Sequence, residues 1–216
     1  MTQKTTTRTT LLLAAAVLGL TAPAWAQTTV ASSPAPSTEV GKGLLGQTYA
    51  GVGYGYTDLN DSSVNLQGFS FDYNQPLNTG FDFNLGFGDA WSSKISGSRA
   101  RQQSFEASAV AFMPDLAWGR PFFSVGAGWF WTKAAGISDN SFMYSFETGV
   151  EFQATRELSL TPFLSYTDAT SLHVNNKWDY GVKANYWFTD QWGLGGELSR
   201  DNKSNMSFGA GVNYRF

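Results

Sequence analysis

Cysteine is absent from the 216 residues, and histidine occurs once, at His173. No disulfide and no thiolate metal site can therefore hold the fold together. Charge is scarce as well, with 14 Lys and Arg against 17 Asp and Glu. A pI near 5.1 excludes a basic nucleic-acid-binding face, so no nucleic acid is expected as a partner. Long apolar runs are missing too, since none approaches the roughly 20 residues that a membrane-spanning helix needs. What the chain does have is aromatic rings and glycine, 16% Phe, Trp and Tyr and 23 Gly. That much aromatic content rules out a disordered chain.

The one apolar stretch, Leu11 to Leu20, follows Lys4 and Arg8 and precedes Ala24-Trp25-Ala26. A charged start, an apolar middle and a small-x-small site in that order predict a cleaved secretory signal peptide over residues 1–26. Its removal takes two bases and no acid, leaving 12 against 17, a net charge of -5. Residues 27–46 are mostly Thr, Ser, Pro, Ala and Gly, and predict a flexible periplasmic leader.

From residue 47 to 216 the texture is period-two alternation. In the last segment Met206, Phe208, Ala210, Val212, Tyr214 and Phe216 alternate with Ser207, Gly209, Gly211, Asn213 and Arg215. Similar patterns occupy 178–188, 142–152, 123–131 and 81–88, and weaker ones 47–57, 64–73, 104–113, 158–168 and 192–200. These ten segments of about ten residues match the length of a tilted strand that crosses a bilayer. The expected fold is all-β, a closed antiparallel up-and-down transmembrane barrel of ten strands, with eight as the alternative.

Alternation alone also fits a soluble barrel packed on an apolar interior. The order along the apolar face argues otherwise. In the segments at 123–131, 178–188 and 206–216, rings sit at both ends and Ala or Val lies between them. A dry core wants bulk in the middle, whereas a bilayer takes rings at its two headgroup levels. The opposite face, built from Gly, Ser, Asn and charges, needs water or polar partners.

With its terminal Phe208-Gly209-Ala210-Gly211-Val212-Asn213-Tyr214-Arg215-Phe216, the chain resembles the small outer-membrane β-barrel proteins of Gram-negative bacteria, of the OmpX/OmpA-barrel type. Ten strands exceed the usual eight of those proteins, and no peptidoglycan-binding domain follows. The resemblance implies a cell outer-membrane location. It also makes Phe208, Val212, Tyr214 and Phe216 the signal read by the barrel-assembly machinery, with periplasmic chaperones as further partners in biogenesis.

With both termini periplasmic, outer loops are expected near 57–63, 90–103, 133–140, 168–176 and 201–205, and periplasmic turns near 74–80, 114–120, 153–157 and 189–191. Parity turns Asp72, Asp82, Glu106, Glu147, Glu151, Asp179 and Glu197 into the lumen with Lys183 and Arg215. A turn at Thr189-Asp190-Gln191 sets Lys183 opposite Glu197 and predicts an ion pair there. The same counting places Tyr73 opposite Phe81 and Asp72 against Asp82, a repulsion relieved either by Arg215 reaching across the first strand or by hydration or protonation of the acids. Pro162, within a strand, predicts a bulge or a register slip.

Three functions compete. An enzyme is disfavoured, because His173, with Asp168 five residues before it and Ser171 two before it, matches no hydrolase motif; no catalytic, cofactor or metal residues are expected. A narrow, cation-leaning pore would follow from the acidic lumen. A structural or surface-interaction role is preferred, because barrels of eight to ten strands are normally filled by their own side chains. Lys94, Arg99, Arg101, Lys133, Lys177, Arg200 and Lys203 lie in or beside the outer loops, where they could meet outer-membrane lipid and the phosphates of lipopolysaccharide.

Overall fold

The computed structural model describes residues 43–60, 62–93, 98–113, 116, 118–134, 137–170 and 176–216. The predicted signal peptide, most of the leader, Asp61, Lys94, Ser171 and His173 lie outside them. Ten strands follow one another: β1 (Tyr49–Asp58), β2 (Asn65–Asn78), β3 (Phe81–Ser92), β4 (Arg101–Phe112), β5 (Arg120–Ala134), β6 (Ile137–Gln153), β7 (Leu158–Ala169), β8 (Lys177–Trp187), β9 (Trp192–Asp201) and β10 (Met206–Arg215). Each pairs antiparallel with its sequence neighbours and β1 pairs with β10, so the barrel is closed and no edge is left open. We call the end carrying Tyr49 and Arg215 proximal, and the opposite end distal.

The register sets the dimensions. From Val52 one way round, the paired row runs through Phe71, Phe87, Phe105 and Trp129 to Phe142. The other way it runs through Val212, Leu194, Tyr186 and Leu158 to Ala154, just beyond β6. The offset is 154 minus 142, or 12 residues. For ten strands this implies a tilt of about 40° and a wall radius of about 10 Å. A ten-residue strand at that tilt spans about 25 Å, the height of an apolar membrane band.

The alternation resolves into two faces of opposite character. Outward residues include Val52, Phe69, Tyr180 and Leu194, each more than half exposed. Rings meet at both rims: Trp192 and Tyr214 lie 4.8 Å apart at the proximal rim, Tyr166 and Trp178 4.9 Å apart at the distal one. The girdle is not uniform, because Phe71, Phe87 and Phe105 pair in one row partway up the wall. Inward residues are polar and buried, among them Ser70, Asn84, Ser104, Ser124, Thr161 and Ser199. Among the described residues, buried apolar side chains cluster only at the ends, as Leu45, Val110, Phe112 and Phe122 proximally and Leu59 with Leu66 distally.

Four local expectations are corrected. The turn expected over 74–80 shrinks to its last residues, because β2 runs on through a bulge at Pro76/Asn78 before Gly80 turns the chain at φ +111°. Tyr73 therefore pairs with Leu85, and Asp72 with Gly86 rather than Asp82. The loop expected over 133–140 is mostly strand, with pairing continuing to Ala134 and Ile137. Pro162 brings no slip: Gly149 pairs with Phe163 and Phe152 with Leu160 in one register, so only the rungs between them are lost.

Candidate functional site

The barrel interior holds nearly all the buried charge, in three tiers. Its proximal tier is built around the end of the predicted leader. Gly43 and Leu45 are buried instead of running free outside the barrel. The Leu44 amide donates to Glu151 Oε2 at 2.6 Å and the Leu45 amide to the same oxygen at 3.3 Å. Arg120 donates both to the Leu45 carbonyl and to Glu151, tying strand β5, strand β6 and the segment together. The Leu45 side chain has no exposed surface and packs with Val110, Phe112 and Phe122. Asn74 Nδ2 donates to the Gln47 carbonyl at 3.0 Å. Arg215 does not cross to Asp72 or Asp82; its guanidinium lies 3.9 Å from the Trp187 ring centroid, and Nη2 donates to the Gly43 carbonyl at 3.4 Å. Asp82 is fully buried in this tier.

The middle tier gathers four carboxylates about one cation. Lys183 faces Glu197 across the β8/β9 ladder, as counted from the turn. Its ammonium instead bonds Glu147 Oε1 at 2.7 Å and lies 4.3 Å from the Phe163 ring centroid. The ladder fixes which backbones face each other, and Lys183 is long enough to pass β7 and reach Glu147 on β6. Glu106 accepts from Ser145 Oγ at 2.5 Å, and Glu197 accepts from Ser199 Oγ at 3.1 Å. The second oxygen of Glu197 is buried without a hydrogen-bond partner. Asp72 is buried in the same tier, within electrostatic reach of Lys183, Glu106 and Glu197.

In the distal tier Lys177 is not a surface base. It turns inward, as its shared parity with Asp179 requires, and pairs with that carboxylate at 2.9 Å. Asp201 also faces inward and accepts from the Lys203 and Asn205 amides at 2.8 and 2.9 Å, closing the last hairpin. Asp201, Lys177 and Arg120 thus join the lumen charges expected from sequence. The tally becomes eight acids against four bases, still net acidic. Of the bases expected at the outer surface, Arg99, Arg101, Lys133, Arg200 and Lys203 are exposed. Arg101 is held by Asp89 at 2.5 Å.

Among the described residues, two small cavities lie inside. A cavity of about 60 Å³ lies between the middle and distal tiers, lined by serines with Asp72, Glu106, Glu147 and Glu197. That is room for a few waters. A second, of about 40 Å³, lies along a wall without side chains, where Gly53 pairs with Gly211 and Gly211 with Gly195. Its floor is Leu44. Among the described residues, no group of three or more His, Asp or Glu is arranged to hold a metal ion.

No protein-family model matches the sequence, and no curated protein matches it either. Among solved structures, the chain is similar to the NanC porin, at 11% identity over 77% of this chain and 100% of that one, with a TM-score of 0.47. It is similar to the translocator domain of the autotransporter NalP from Neisseria meningitidis, at 11% identity over 79% and 89%, TM-score 0.46. It is also similar to Ail, the attachment invasion locus protein of Yersinia pestis, at 13% identity over 79% and 99%, TM-score 0.35.

Proposed function

We propose that the chain is an integral outer-membrane β-barrel protein with a structural or surface-interaction role, closed to passive flow, its proximal end in the periplasm. The membrane assignment rests on the exposed apolar belt about 25 Å high, which water would penalise by roughly 25 cal/mol for each Å². A closed barrel is also the only sheet whose backbone is fully paired in hydrocarbon.

One observation carries the choice of role: the proximal mouth is occupied by Gly43–Leu45, anchored on Glu151 and Arg120. A wall radius of about 10 Å is further narrowed by inward side chains, which ordinarily fill barrels of this size. The purified protein in a planar bilayer is expected to insert and stay electrically silent. Steady conductance from the unmodified chain would refute the closed reading and favour the narrow pore.

Surface interaction would fall to the distal rim. Arg99, Lys133, Arg200 and Lys203 are exposed there and suit the phosphates of lipopolysaccharide. Lys177, paired inside, drops out of that set. Reversing the charge of these four bases should weaken retention of lipopolysaccharide by the detergent-solubilised barrel. Unchanged retention would assign them to a solvated rim.

A further inference from the structure

We propose that Gly43–Gly46 is a displaceable plug and that the lumen behind it is a cation-conducting path. The inference rests on the closed, membrane-inserted barrel proposed above and adds an activity to it.

The segment belongs to no strand. It is held by the buried Leu45 side chain, by the Leu44 and Leu45 amides donating to Glu151, and by Arg120 and Arg215 donating to the Leu45 and Gly43 carbonyls. None of the ladder bonds that close the barrel passes through it, so it can leave while the wall stays intact. A Cβ on Gly43 would lie 2.2 Å from the Glu151 carboxyl group, which Arg120 and the Leu44 amide hold in place.

Directly above the plug the wall is bare. Gly53, Gly195 and Gly211 leave the 40 Å³ cavity whose floor is Leu44. That cavity shares Asp72 and Glu197 with the larger one above it, which reaches Lys177 and Ser207 beside the distal turns. Leu44 borders the smaller cavity, so withdrawing the segment opens it toward the proximal mouth, and the two cavities meet at Asp72 and Glu197. Carboxylates outnumber bases along them, and the buried Glu197 oxygen without a partner points to a cation as the species that would pass.

The test uses the full chain in planar bilayers, with two substitutions in the plug and none in the wall. Gly43→Leu displaces the segment by collision with Glu151, and Leu45→Asp by placing a charge among Val110, Phe112 and Phe122. Each variant is first shown to be folded by its faster gel mobility when left unheated. Stepwise openings in both, with a reversal potential on the cation side of a KCl gradient and a silent unmodified chain, are expected. Adding Asp72→Asn and Glu197→Gln to Leu45→Asp should reduce the cation preference. Folded variants as silent as the unmodified chain, or openings that prefer chloride, overturn the plug while leaving the closed barrel standing. Equal conductance from the unmodified chain and both variants overturns the closed barrel itself.

Discussion

Removing the Lys183 ammonium is the perturbation whose cost the interior defines best. Its bond to Glu147 is 2.7 Å long, and the two side chains are 13% and 5% exposed. At an effective dielectric near 20, opposite charges about 4 Å apart attract by roughly 4 kcal/mol. Desolvation offsets most of that in the pair, but not in a variant that leaves the carboxylate alone, where losses of about 3–5 kcal/mol are typical. Lys183→Met falls well inside that range, because Asp72, Glu106, Glu147 and Glu197 all lie within electrostatic reach of this one cation. We expect a loss of about 4 kcal/mol, and only about half of it when Glu147→Gln is present. The assay is urea unfolding of the detergent-solubilised barrel followed by tryptophan fluorescence, run as two double-mutant cycles. Coupling of about 2 kcal/mol between Lys183 and Glu147, and less than about 1 kcal/mol between Lys183 and Glu197, is the expected pattern. The reverse pattern would show that the cross-strand neighbour is the partner and that the geometry of the middle tier is wrong.

Further predictions concern the wall and its assembly. Gly128→Ala would place a Cβ 2.0 Å from the Phe105 carbonyl oxygen, so it should cost about 1–3 kcal/mol in the same unfolding assay. Gly196→Ala, whose nearest neighbour is the Gly209 carbonyl at 3.9 Å, should stay within about 0.5 kcal/mol; equal effects would contradict the packing of the wall. On the outer face, Val182→Arg at mid-height should cost about 2–4 kcal/mol in a bilayer, against about 0–1 for Asp58→Arg at the distal rim. No difference between the two would argue against a hydrocarbon belt. Deletion of Phe216 should lower the amount of folded barrel recovered from membranes, and an undiminished amount would remove the terminal aromatic from the assembly signal.

Most of the architecture was legible because a closed barrel in lipid leaves a period-two signature on every strand. Lumen parity was equally readable, and it already held the answer for Lys177, which shares the parity of Asp179. The place of Lys177 beside a predicted loop masks that parity. The β2/β3 register was lost at Pro76-Leu77-Asn78, where proline and asparagine look like a turn but form a bulge inside a continuing strand. Only Gly80, with its positive φ, marks the real reversal. The strand within 133–140 was missed because it lies beyond the apolar belt, where alternation no longer has hydrocarbon on one side to enforce it. Partner choice for Lys183 was also not readable, since a long side chain can pass its facing neighbour and register fixes only backbones. The plug did leave a trace, in that Leu44 and Leu45 are the only adjacent leucines in the otherwise small-residue tract before β1.

The orientation of the two faces underlies every other statement, and tryptophan quenching by brominated lipid reads it directly. Trp192 stands exposed on the outer proximal rim, while Trp187, five residues earlier, points inward with 1% exposure beneath Arg215. In single-tryptophan versions reconstituted into bilayers, Trp192 should be strongly quenched by bromines near the headgroups and Trp187 scarcely at all. Quenching of Trp187 with Trp192 spared would mean that the barrel faces the other way.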